Sequence, residues 1–263
     1  MAGCLRSLYT SLPMKVAVII PAAGLGTRMA AQSGTRAGTT KQFAEIGGKP
    51  ILLHTLERFA AVERVQDIYI AVRESETERL REFLSSQRLR PKIHVVVGGD
   101  HRQRSVANAL GAVKAQNDDI VLVHDAVRPF VDSTIIENVI ICAAETGAAI
   151  AGLPAVDTIK QVDRTAKGAI ITSTIPRERV VQAQTPQGFR YALLKRAFDE
   201  AEEDGFIGTD EASLLERSGH EVAVVMGSPM NIKITTPTDL ELAEFYVQRL
   251  QNEDRHTQHR IVG

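Results

Sequence analysis

Short apolar runs alternate along the chain with longer segments in which apolar residues recur every third or fourth position. The runs at residues 16–20, 65–72, 93–97, 120–123 and 148–153 are rich in β-branched residues and carry little polar interruption. That composition predicts strands buried on both faces of a sheet. Between them, residues 51–59, 74–88, 102–113 and 134–146 place their apolar side chains on one face of a helix. Strand and helix taking turns in this way predicts an α/β fold. It is a Rossmann-like, mostly parallel sheet with helices on both faces. Each strand ends in a polar or glycine-rich loop, and such sheets bind ligands outside the carboxyl ends of their strands.

The alternation breaks between residues 155 and 188. Here residues 158–162 and 169–174 flank the polar stretch 163–168, which predicts a β-hairpin projecting from the domain. Its stems carry Val156, Ile159, Ile170 and Ile171. A lone hairpin is marginal in water, so these stems need a partner, and exchange of arms in a two-fold homodimer supplies one. Helices follow at 191–204 and 211–218, strands at 222–226 and 231–235, and a last helix at 240–250 capped by Pro237-Thr238-Asp239. The expected organisation is an N-terminal extension (1–14), one domain (15–250) with its arm at about 155–182, and a polar tail (251–263). Residues 1–13 lack the continuous apolar core of a secretory signal and read as a disordered tail or an upstream start.

Composition narrows the class without choosing a function. A chain of 263 residues with 44% hydrophobic and 24% charged content is an ordinary globular protein. A net charge of -1 gives no reason to expect nucleic acid or an anionic membrane as partner. No apolar run approaches the ~18 residues of a membrane-spanning helix. The two cysteines lie far apart, which argues against a disulfide framework and for a cytoplasmic setting.

The candidate chemistry starts at the end of the first strand. Pro21 ends the run, and Ala22, Ala23, Gly24 and Gly26 follow, with no bulk to hold a ligand away. The segment is not a P-loop, because G-x-x-x-x-G-K-[ST] is absent. It fits a dinucleotide loop poorly, since Met29 replaces the third glycine and no acidic residue ends the second strand. Arg28 sets it apart, because an arginine in such a loop can neutralise charge developing on phosphate. Lys41, after a glycine-rich stretch able to close as a lid, is a second candidate cation.

Several further segments share one order: Gly98-Gly99-Asp100 with Arg102 and Ser105-Val106, V-H-D-A-V-R-P at 123–129, A-Q-T-P-Q at 183–187, T-D-E-A-S at 209–213 and N-I-K-I-T at 231–235. Together with Pro21 to Met29 and Lys41-Gln42-Phe43, they resemble the 2-C-methyl-D-erythritol 4-phosphate cytidylyltransferases over nearly the whole chain. The resemblance implies a nucleotide-diphospho-sugar transferase-like fold and transfer of CMP from CTP to 2-C-methyl-D-erythritol 4-phosphate. Pyrophosphate is released and Mg²⁺ is the cofactor. The motif positions imply Arg28, Lys41, Arg177 and Lys233 as catalytic cations. They imply Pro21, Ala22, Ala23, Gly24, Gly26, Gly99, Asp100 and Ser105 as nucleotide contacts, and Asp125, Arg128, Thr158 and Thr209 as substrate contacts. No Mg²⁺ ligand is assigned. The resemblance also implies that the arm crosses to a second subunit, so that Arg177 and Thr158 serve the neighbouring site. The segment between Arg28 and Lys41 is longer than the family's usual one, and Thr40 replaces its proline.

A cytidylyltransferase for another polyol phosphate, such as ribitol 5-phosphate, is the nearest alternative. A non-catalytic nucleotide-binding protein is the alternative of another class, and intact Arg28, Lys41, Arg177 and Lys233 count against it. Asp210 and Glu211 read as ordinary acidic residues of a helix's first turn, with Thr209 as a candidate cap as well as a ligand. His124 reads as structural.

Overall fold

The computed structural model describes residues 14–24, 41–166 and 168–261, and side chains within them except at Lys41 and 253–261. The core is a seven-stranded sheet in the order β11-β7-β10-β6-β1-β4-β5. Its strands are β1 (Val16–Pro21), β4 (Val65–Val72), β5 (Lys92–Val97), β6 (Ile120–Val123), β7 (Ala148–Pro154), β10 (Val181–Arg190) and β11 (Ala223–Met226). All neighbours pair parallel except β10, which runs antiparallel to both β6 and β7.

The two-sided burial expected of the first strand is observed. Val16, Val18 and Ile20 enter the apolar layer on one face, and Ala17 and Ile19 enter the layer on the other. Helices α1 (Ile51–Ala60), α2 (Thr77–Ser85) and α4 (Ser133–Thr146) cover the first face. Helices α3 (Arg102–Ala112), α5 (Tyr191–Glu203) and α6 (Glu211–Arg217) cover the second. A third apolar cluster joins the small hairpin β2 (Glu45–Ile46) and β3 (Lys49–Pro50) to the last helix, α7 (Pro237–Ile261), through Ile46, Phe130, Ile234 and Val247.

Two expectations are corrected, and one strand was not expected. Residues 231–235 form no strand: Ile234 N–H donates to Val127 O, and the segment lies along the loop after β6 instead of joining a ladder. The last helix starts at Pro237, favoured at a first helical position, and runs past 250 to Ile261. Its cap is reciprocal, with Asp239 accepting from Thr236 N–H and Thr236 Oγ1 accepting from Asp239 N–H. Strand β10 is the element the pattern hides. Its residues Gln182, Gln184, Thr185, Pro186 and Gln187 do not read as a buried strand. The ladder with β7 shifts register between Ala183 and Gln187, and that irregular stretch carries polar side chains into the sheet's interior.

The arm forms as expected, as an antiparallel hairpin of β8 (Ile159–Thr165) and β9 (Gly168–Ile175) separate from the main sheet. Val156, Ile170 and Ile171 stand 78%, 62% and 60% exposed.

Candidate active site

The carboxyl ends of β1, β5 and β6 open into one cleft of about 210 Å³. Pro21, Ala22, Ala23 and Gly24 line one wall, Gly99, Asp100, His101, Arg102 and Ser105 another, and Asp125, Ala126, Val127 and Lys233 the floor. The walls are held from behind. Ala22 N–H donates to Ala71 O at 2.7 Å, and the buried Gln42 amide donates to Ala22 O. Ser105 Oγ accepts from Gly99 N–H at 3.1 Å and donates to His101 O at 3.1 Å. Gly98 is required by contact, because a Cβ there would lie 2.7 Å from Ala23 Cβ and 3.0 Å from Ser105 Oγ.

Asp125 is the centre of charge. Its Oδ2 lies 3.0 Å from Lys233 Nζ and 3.1 Å from Arg128 Nε, and its Oδ1 lies 3.5 Å from Arg102 Nε. Burial alone would raise its pKa. The charges of Lys233, Arg102 and Arg128 reverse that and hold the carboxyl well below the usual range. Arg128 is buried beneath the cleft, where its guanidinium also donates to Asn231 O at 2.7 Å.

His124 supports this floor and is structural, as expected. Its Nε2 lies 3.1 Å from Arg128 O, which can only accept, so Nε2 carries the proton. Its Nδ1 then accepts from Thr185 Oγ1 at 3.0 Å, and Thr185 Oγ1 accepts from Asp125 N–H at 3.1 Å. The ring packs edge-on against Phe59, and burial lowers its pKa to about 4, leaving it neutral. The polar residues of β10 are explained here. Thr185 fixes His124 and Asp125, Gln184 fixes Asn231 and Ser228, and Gln187 bonds Asp210 and Ala212 at the start of α6.

The fold brings Pro21, Ala22, Ala23, Gly24, Gly99, Asp100, Ser105, Asp125 and Lys233 to the cleft, with Arg128 directly below. Arg28, Gly26 and the side chain of Lys41 lie outside the described residues. Arg177 and Thr158 sit exposed at the arm's base and do not line this chain's cleft, and Arg177 donates to Val156 O at 2.8 Å. Thr209 is exposed and outside the cleft lining. It does not cap α6, because Asp210 is the cap, accepting from Ser213 N–H at 3.0 Å. Gln42 and Arg102 stand inside quoted motifs with no role given to them, His101 was not singled out, and Glu211 was read only as an acidic residue of a helix's first turn; the pairing of Arg102 with Glu211 across the fold was hidden.

The sequence profile of the 2-C-methyl-D-erythritol 4-phosphate cytidylyltransferases matches residues 16–249. The chain belongs to that family. The cytidylyltransferase of this name from Acidobacterium capsulatum is 60% identical over 236 residues, covering 90% of this chain and 98% of that protein. The one from Solibacter usitatus is 55% identical, covering 89% and 96%. The solved Francisella tularensis 2-C-methyl-D-erythritol 4-phosphate cytidylyltransferase superposes with a TM-score of 0.72 at 36% identity, covering 88% of this chain and 99% of that one. The Thermus thermophilus structure gives 0.70 at 32%, covering 89% and 100%. The α/β architecture described above is thus the nucleotidyltransferase-like fold of the 2-C-methyl-D-erythritol 4-phosphate cytidylyltransferases.

Proposed function

We infer that the protein transfers CMP from CTP to 2-C-methyl-D-erythritol 4-phosphate in isoprenoid precursor biosynthesis, as its family membership implies, and that the cleft around Asp125 is where it does so. A phosphate oxygen of the acceptor attacks the α-phosphorus of CTP. The new P–O bond forms as the bond to the β-phosphate bridge breaks, and pyrophosphate leaves. The nucleophile is already anionic near neutral pH, so no strong base is required. The barrier lies in bringing two anionic groups together, and fixed cations lower it by positioning and electrostatics.

The observation that carries this reading is Asp125 among Lys233, Arg102 and Arg128 at the floor of a cleft with small-residue walls. In the proposed arrangement, Ala22, Ala23, Gly99, Asp100 and Ser105 take the cytidine. Arg28 and Lys41 face the triphosphate, and Lys233, held by Asp125, faces the acceptor phosphate. Mg²⁺ would neutralise the β- and γ-phosphates. Of the cleft-lining carboxylates, Asp125 is already committed to cations, and the described residues hold no cluster able to cage a metal. Among the described lining residues Asp100 is the carboxylate left to hold such an ion, which would supply positive charge to the phosphates of the nucleotide.

We also propose a homodimer. The exposed apolar stems of the arm want cover, and Arg177 and Thr158, remote from their own chain's cleft, would complete the partner's. No helix among the described residues is long and apolar enough to cross a membrane. The cytoplasmic location we propose rests on the two widely separated cysteines. Pyrophosphate release from CTP with Mg²⁺ and a panel of polyol phosphates tests the reading. Release with 2-C-methyl-D-erythritol 4-phosphate is expected. No release, or equal turnover of ribitol 5-phosphate, overturns it.

A further inference from the structure

Glu211 is a buried charge that the chemistry above does not use. It is 1% exposed, and it meets Arg102 fork to fork, with Arg102 NH1 to Oε1 at 2.7 Å and NH2 to Oε2 at 2.9 Å. The third nitrogen of the same guanidinium, Nε, faces Asp125 Oδ1 at 3.5 Å. Burial pushes the Glu211 carboxyl up in pKa, against the pull of Arg102. Such a pair is poor value as a stabiliser, since replacing both partners with apolar residues is often neutral or favourable. Its position offers a better account. Arg102 opens α3 directly after the nucleotide-side loop, and Glu211 opens α6 directly after the acceptor-side Thr209-Asp210. Gln187 fixes the Glu211 end, donating to Asp210 Oδ2 at 2.7 Å and accepting from Ala212 N–H at 3.1 Å.

We propose that Glu211 is a positioning residue for cytidylyl transfer: it locks the Arg102 guanidinium so that Asp125 keeps the orientation that presents Lys233 to the acceptor phosphate. Without the Glu211 charge, the Arg102 fork has no buried anion except Asp125. It then competes with Lys233 and Arg128 for that carboxylate and draws Asp125 away from Lys233. The inference rests on the acceptor-side reading of the cleft given above.

The test is steady-state pyrophosphate release together with CTP binding in the full-length protein. Glu211→Gln is expected to lower kcat/KM for the acceptor by about 10²-fold, the scale of an ångström-level misplacement, with CTP affinity unchanged. In an Arg102→Gln background the same substitution is expected to add no further loss, because Glu211 acts through Arg102. If Glu211→Gln does not fold, the pair Arg102→Met with Glu211→Leu serves, and it should be as stable as the parent yet slow. A Glu211→Gln protein with a lowered Tm and unchanged kcat/KM overturns the proposal. So do an equal loss of CTP affinity, additive losses in the cycle, or full turnover in the apolar pair. Lys233→Ala run alongside separates the two readings. If it keeps parental turnover, the cleft assignment itself is wrong, whatever Glu211 does.

Discussion

At the scale of single residues, the cleft works by crowding cations onto one carboxylate. Lys233 reaches Asp125 from N-I-K-I-T and Arg128 reaches it from V-H-D-A-V-R-P. Both motifs were readable as strings, but their meeting was not, because it depends on a loop packing beside the end of β6. Lys233→Ala removes a charge meant for the incoming phosphate and should lower turnover by about 10²–10³-fold, read by pyrophosphate release at saturating substrates. His124 gives a pH signature. Its pKa falls from 6.5 to about 4 on folding. The unfolded chain therefore binds more protons between these values, and stability drops as pH falls through that window. The loss should reach about 3 kcal/mol in urea unfolding followed from pH 7 to pH 4. His124→Gln should flatten that slope, and an unchanged slope would assign it to other groups. Asp125, held low by its cations, adds a loss in the same direction only at more acid pH.

At the scale of elements, periodicity revealed what packing alone decides and concealed what the site decides. β1 and β4 were legible because both faces meet apolar layers. β10 was not, because Gln184, Thr185 and Gln187 answer to His124, Asn231 and Asp210 rather than to the core. The segment 231–235 was misread for the mirror-image reason: β-branched residues serve a loop packed on Val127. The short helix α6 depends on its cap. Asp210→Ala removes the acceptor for Ser213 N–H and the partner of Gln187. It should lower stability by about 0.5–2 kcal/mol, measurable as a shifted denaturation midpoint at constant m-value.

At the scale of the whole molecule, the sheet and the arm were both foreseen, since each follows from a repeated local pattern. The layering of polar β10 between β7 and β6 was not, because it is a long-range pairing. If the arm completes a neighbour's cleft, two crippled chains should rescue each other. Arg177→Ala mixed with Lys233→Ala and allowed to exchange should regain about a quarter of parental activity, because half the dimers are mixed and each mixed dimer rebuilds one intact site. Absence of rescue would keep Arg177 with its own chain. The place of β10 in the sheet also bears on how the molecule is built. β5, β4, β1 and β6 are complete by residue 123, whereas β10 arrives only after the arm has been made. Until then the Ile120–Val123 edge has an unfilled side on a growing chain. An open apolar edge invites pairing with the wrong strand. The polar strand that braces the floor of the cleft thus also covers the Ile120–Val123 edge of the sheet, so a chain halted within the arm is expected to aggregate more readily than the finished one.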